Sequence, residues 1–224
     1  MTARRRTLLA AAATAALAPA ARAADPVDVA LVLAADASGS IDATEFRLQK
    51  EGIAEAVGDA RVLAAIRSGP IGRIAVAYVE WGAPGGAVTV VPWTIIAGAE
   101  GASSFASALL AAPRSVQSWN AIGDAIDHAV ALLEASPFEA TRKVIDISGD
   151  AGDMRSLRPA PLARDAAVAK GVVINALAIV EGRAGLVAQY ERDVIGGPGA
   201  FVESAPTRAE FMAALRRKLV REIA

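Results

Sequence analysis

The feature that most constrains this chain is the segment 27–35, apolar at every position but Asp28, which runs without a spacer into Asp36-Ala37-Ser38-Gly39-Ser40. A nearly unbroken apolar run of this length reads as a central parallel strand covered on both faces. The loop after it offers one carboxylate and two hydroxyls within five residues. In an open α/β sheet, ligands collect at the carboxyl ends of strands near the point where strand order reverses. Three hard oxygen donors on a tight, glycine-assisted turn there suit Mg2+ or another small divalent cation. The plainer alternative is a polar turn that caps the next helix. That role already belongs to Asp42-Ala43-Thr44-Glu45, which has the layout of a capping box.

Downstream, apolar runs alternate with helical patterns. Residues 74–81 and 87–93 read as strands joined by Gly82-Ala83-Pro84-Gly85-Gly86, a connection short enough to imply an antiparallel hairpin at the sheet edge. Further strands are expected at 144–148 and 172–180, with a short last one at Phe201 and Val202. Helices are expected after Asp42, at about 103–111, at about 121–134, up to Lys170 before Gly171, and at 186–194. A last helix at 207–223 starts with a second capping-box pattern, Thr207 and Glu210. The fold class that follows is α/β: a doubly wound, Rossmann-like, mostly parallel sheet with one antiparallel edge strand and helices on both faces.

Ahead of this pattern, Arg4-Arg5-Arg6 precede an apolar stretch, and Ala21-Arg22-Ala23 supplies small residues at a cleavage position. Residues 1–23 therefore read as a signal peptide, and 24–224 as one domain of an exported, periplasmic or secreted protein. An uncleaved anchor is the alternative, but the apolar run is short and rich in Ala; no later segment is apolar enough to span a membrane. Four of the 23 basic residues and none of the 24 acidic ones lie within 1–23, which leaves 19 against 24, a net charge of −5. Nothing in that balance recommends nucleic acid as a partner. With no cysteine, disulfides, thiol catalysis and thiolate metal sites are excluded, and the single histidine, His128, excludes a multi-histidine zinc site.

Asp36-x-Ser38-x-Ser40 resembles the metal-ion-dependent adhesion site (MIDAS) of von Willebrand factor A (VWA) domains. That family completes its site with a Thr before a later helix and an Asp after the next strand. The matching Asp is Asp150, in Val144-Ile145-Asp146-Ile147-Ser148-Gly149-Asp150; the Thr position is held by Asn120, in Trp119-Asn120-Ala121-Ile122-Gly123. Asn keeps an oxygen donor but places it on a longer amide with two hydrogens. The resemblance implies a divalent cation (Mg2+ or Mn2+, with Ca2+ also admitted) held by Asp36, Ser38, Ser40, Asn120 and Asp150. It also implies an open coordination position, which a carboxylate from a protein partner or ligand fills. The segment from Tyr190 to Val202 and the terminal Lys218-Leu219-Val220-Arg221-Glu222-Ile223 are similar to an exported bacterial branch of this family known only as a domain of unknown function.

Each candidate has a plainer reading. Asn120 also suits a helix N-cap, and Asp150, among Gly149, Ala151 and Gly152, suits a turn. Asp146, inside an apolar strand on the side of Ser148, reads as a hydrogen-bonded structural carboxylate or as support behind the metal ligands. His128 reads as structural, and Trp119 as a partner anchor or as core. Arg216, Arg217, Lys218 and Arg221 read as a solvated basic face at the negative end of the last helix.

The function these readings favour is a binding module that recognises an acidic group and catalyses nothing. An aspartyl phosphotransferase needs a second carboxylate where Ser38 stands. A Gly-x-Ser-x-Gly elbow and a phosphate-binding loop are both missing from the sequence. The alternatives are a VWA scaffold with a degenerate, metal-free site, motivated by Asn120, and, last, a metal-dependent hydrolase.

Overall fold

The computed structural model describes residues 24–39 and 41–224; the expected signal peptide and Ser40 lie outside the described residues. Strand β1 (Asp25–Asp36) explains the long apolar run. Its Val29, Leu31, Leu33 and Ala35 enter one apolar core, and its Ala30, Val32 and Ala34 enter another. That is the period-two outcome for a strand covered on both faces. The polar exception, Asp28, accepts hydrogen bonds from the backbone amides of Ile71 (3.0 Å), Gly72 (2.7 Å) and Arg73 (3.3 Å), and so shapes the turn into the next strand.

The other strands are β2 (Ile74–Trp81), β3 (Val88–Ile96), β4 (Phe138–Gly149), β5 (Val172–Ile179) and β6 (Val202–Ala205). They form one sheet in the order β3-β2-β1-β4-β5-β6, parallel throughout except for the antiparallel edge pair β2/β3. Helices α1 (Ala43–Gly58), α2 (Ala60–Ser68), α3 (Ala99–Ala111) and α7 (Phe211–Ile223) cover one face. Helices α4 (Ile122–Glu134), α5 (Ala160–Ala169) and α6 (Leu186–Asp193) cover the other. Strand order reverses between β1 and β4, whose register sets Ala35 beside Ser148. The carboxyl ends of both strands therefore meet at Asp36 and Asp150. No helix among the described residues is long and apolar enough to cross a membrane.

Several expectations are corrected. Helix α2 fills a stretch read without a helix: Asp59 caps it by accepting from the Arg61 amide (2.9 Å), and Val62, Leu63 and Ile66 are buried. Strand β4 starts at Phe138, because its first, largely solvent-exposed half pairs with the start of β1. Helix α3 starts at Ala99. The capping box at Asp42 and Glu45 forms, but the one at Thr207 does not. The Thr207 hydroxyl instead donates to Glu210 Oε2 (3.0 Å), and a 3-10 turn, Arg208–Glu210, precedes α7.

Of the basic residues of α7, Arg217 and Arg221 are solvent-exposed as expected, but Lys218 is not. Lys218 is fully buried between Asp146, 2.7 Å away, and Glu222. Arg216 pairs with Asp59 (3.0 Å), Arg217 with Glu203 (2.7 Å), and the Arg221 guanidinium lies 3.7 Å from the centre of the Phe201 ring. Asp146 is thus a structural carboxylate held by α7.

Candidate functional site

At the end of β1 the backbone turns sharply and is held from three sides. The Ala37 amide donates to the Trp81 carbonyl (2.9 Å), and the Gln49 side chain donates to the Asp36 carbonyl (2.9 Å). Arg114 donates from one terminal nitrogen to the carbonyls of both Ala37 and Ser38, each at 2.9 Å, with its guanidinium stacked 4.6 Å from the centre of the Phe46 ring. These contacts fix where the Asp36 side chain can point.

Asp36 is fully buried. Its Oδ1 accepts the Ser38 amide at 2.7 Å, while Oδ2 has no hydrogen-bond donor. Burial pushes its carboxyl up to about 7; the Ser38 hydroxyl and amide oppose the rise, and the nearby Asp150 carboxylate adds to it. Asp150 is buried beside it, directly after Gly149. A Cβ at Gly149 would sit 2.9 Å from Tyr190 Oη and 3.1 Å from the Trp81 ring, so only glycine lets β4 run this close. The Tyr190 hydroxyl then ties the following residue by donating to the Ala151 carbonyl (2.9 Å).

Asn120 reaches the same end of the sheet on the loop before α4. The Ala121 amide donates to the Gly82 carbonyl (2.9 Å), and the Met154 amide donates to the Asn120 carbonyl (2.7 Å). The Asn120 side chain caps nothing: Ala121 is the N-cap residue of α4, and Asn120 Oδ1 is buried without a donor. The cap alternative is therefore corrected.

The structure brings Asp36, Ser38, Asn120 and Asp150 to one end of the sheet, all of them buried, with Ser40 outside the described residues. Among the described residues no group of three or more His, Cys, Asp or Glu is placed to hold a metal, so a cation here would depend on two carboxylates plus hydroxyl and amide oxygens. His128 lies elsewhere, half-buried, with Nε2 2.9 Å from Thr89 Oγ1. Trp119 is surface, not core, at 47% exposure.

Arg208 is the residue that sequence reasoning missed. It donates to Asp150 Oδ2 at 2.7 Å and pairs with Glu45 Oε1 at 2.9 Å, while Arg183 lies 3.5 Å from Asp150 Oδ1. These contacts join residues far apart in the chain, and no local pattern around Arg208 marks it.

Residues 26–224 match the family described as "Protein of unknown function (DUF1194)". By sequence, no curated protein matches. Among solved structures, the chain is similar to proximal thread matrix protein 1 from the mussel byssus with a zinc-occupied MIDAS motif (TM-score 0.62, 18% identity, 89% of this chain and 46% of that one). It is also similar to a von Willebrand factor type A protein from Catenulispora acidiphila (TM-score 0.62, 17% identity, 88% and 43%). A third likeness is to the vWF domain of the type V pili tip protein Mfa5 from Porphyromonas gingivalis (TM-score 0.61, 10% identity, 88% and 95%). The chain spans less than half the length of the first two. At such identities the likeness carries the fold, which is that of VWA domains.

Proposed function

We propose that this chain, which belongs to the DUF1194 family, is an exported, metal-dependent binding module. In this reading Asp36, Ser38, Ser40, Asn120 and Asp150 hold a divalent cation, Mg2+ or Mn2+, and 24–224 is the single working domain. One observation carries the reading. Asp36 Oδ2 and Asn120 Oδ1 are buried acceptors at one end of the sheet that receive no hydrogen bond, and Asp150 Oδ1 beside them has only the Arg183 guanidinium, 3.5 Å away. A buried acceptor left without a donor costs about 1–3 kcal/mol, and a bound cation is one way to satisfy it. Hard oxygens of these types suit a small divalent cation.

When bound, the cation supplies an open coordination position that accepts a carboxylate from a partner protein or ligand. The chain's own groups do the positioning. The Ser38 amide orients the Asp36 carboxylate, and Arg114 and Gln49 fix the loop beneath it. No catalytic step is assigned. Export is supported by Arg4-Arg5-Arg6 and Ala21-Arg22-Ala23. It is also supported by the extracellular setting of the pilus tip and byssus proteins that share the fold.

A second reading, a metal-free scaffold, is favoured by Arg208, whose guanidinium already neutralises Asp150. Calorimetric titration with Mg2+ and Mn2+ separates the two. The metal reading expects binding by the wild type and none by Asp36→Ala with an unchanged fold. No heat from the wild type would uphold the scaffold, and equal heats from both proteins would place the cation away from Asp36.

A further inference from the structure

Trp119 and Arg155 are the only non-glycine residues among those described with a left-handed backbone, at φ 56 and 68. They stack on each other, with the Arg155 guanidinium 4.6 Å from the centre of the Trp119 ring. A left-handed residue with a Cβ costs on the order of 1–2 kcal/mol, and both side chains are exposed, so core burial does not offset that cost. Strain of this kind collects at functional surfaces. Arg155 has no carboxylate partner among the described residues, and the ring holds it in place without one.

Met154 (45% exposed) and Leu157 (79%) stand on the loop that carries Arg155. The backbone under these side chains is fixed. The Met154 amide binds the Asn120 carbonyl (2.7 Å), and the Leu157 amide binds Asp124 Oδ1 (2.9 Å), whose Oδ2 takes the Gly85 amide (2.8 Å). On the Trp119 loop, Gln117 spans the Ala83 amide and the Gly86 carbonyl, both at 2.8 Å. The pinned backbone has already lost freedom that binding would otherwise remove, and the large apolar side chains it carries stand in solvent.

This face adjoins the Ser38 loop. A Cβ at Gly82 would lie 3.1 Å from Ser38 Cα and 3.0 Å from the Ser118 carbonyl oxygen, so both loops close on this one glycine.

We propose that Trp119, Arg155, Met154 and Leu157 form a preorganised docking face for a protein segment that carries an acidic side chain beside an aromatic or aliphatic one. The inference rests on the metal reading above. The acid goes to the cation and the unpaired Arg155, a match of charge. The neighbouring apolar side chain goes against Trp119 and Leu157, where a desolvated aromatic anchor gives most of the affinity.

The test pans a phage-displayed random peptide library on the exported protein in Mg2+, with Trp119→Asn and Leu157→Ser as variants. Asn tolerates the left-handed backbone, so the loop survives the loss of the ring. Expected are peptides that pair Asp or Glu with Trp, Phe or Leu, bind both variants about tenfold or more weakly, and leave the calorimetric Mg2+ affinity of the variants at the wild-type level. Acidic peptides without apolar enrichment, bound equally by the variants, overturn the docking face and leave the metal reading standing. No enriched peptide at all also overturns it. Peptides that need Trp119 but bind equally in EDTA and to Asp36→Ala uphold the face and reject the metal reading.

Discussion

Arg208 Nη2 lies 2.7 Å from Asp150 Oδ2, bringing a guanidinium from just before α7 onto the carboxylate that follows β4. Asp150 is buried, and Arg208 largely so, so the pair is not a solvent-screened surface contact. In the metal-dependent reading, the guanidinium and the cation compete for one carboxylate. Arg208→Ala should lower the stability of the metal-free protein by about 1–3 kcal/mol, because Asp150 loses its strongest partner. It should also raise Mg2+ affinity by about tenfold, equivalent to about 1.4 kcal/mol. Melting curves in EDTA, paired with Mg2+ titration, check both. A loss of affinity would mean that Arg208 orients Asp150 for the metal instead of competing with it.

Asn120 Oδ1, buried without a donor, makes a second prediction. A longer amide fits the strict octahedron of Mg2+, with bonds of about 2.1 Å, less well than a hydroxyl does. Asn120→Thr should therefore bind Mg2+ more tightly, on the order of tenfold, with a smaller gain for Ca2+. Titration of both proteins with the two ions measures the difference, and unchanged Mg2+ affinity would remove Asn120 from the ligand set.

Arg114 bridges the Ala37 and Ser38 carbonyls from behind the loop. Arg114→Ala should leave the fold intact and weaken Mg2+ binding about tenfold, as the loss of groups that orient metal ligands typically does. Lysine presents a point charge without the planar fork, so Arg114→Lys should recover only part of the loss. Calorimetry on the three proteins checks the order.

The buried trio Lys218, Asp146 and Glu222 sets a pH dependence of its own. One ammonium faces two carboxylates, and Asn175 donates to Glu222 Oε1 at 2.8 Å. Burial pushes the Glu222 carboxyl up to about 7, Lys218 opposing and Asp146 adding to the rise. The folded chain thus keeps a proton that the unfolded carboxyl has lost above its ordinary value of 4.5. That contribution to stability is complete below about 4.5 and disappears as pH rises through about 7. Asp36, also raised to about 7, acts in the same direction, so the comparison needs Glu222→Gln. Between about pH 5 and pH 8, urea unfolding in EDTA should show the wild type losing about 2 kcal/mol more than this variant. An equal loss in both would place the proton elsewhere.

Much of the fold is legible in the sequence because both faces of its central strands are buried. The expected strand at 74–81 coincides with β2, and the alternation of β1 between two cores follows from its unbroken apolar run. The first half of β4 is hidden for the opposite reason: Glu139, Thr141 and Arg142 are solvent-exposed and carry no apolar period. Lys218 reads as surface because a charge on an amphipathic helix usually is; its burial depends on Asp146, far away in sequence. At the candidate site, the sequence marks the residues of the loop itself. Arg114 and Arg208 arrive from distant segments and become visible only when β1 and β4 are brought side by side.

Where a cation sits decides most directly what this end of the sheet does. Crystals grown with Mn2+ and measured for its anomalous scattering locate the ion without assuming any ligand. The account predicts one strong peak within about 2.5 Å of Asp36 Oδ2, with Asn120 Oδ1 and Asp150 facing it directly or through water. An anomalous map with no peak there, and Arg208 still seated on Asp150 at saturating Mn2+, would contradict it.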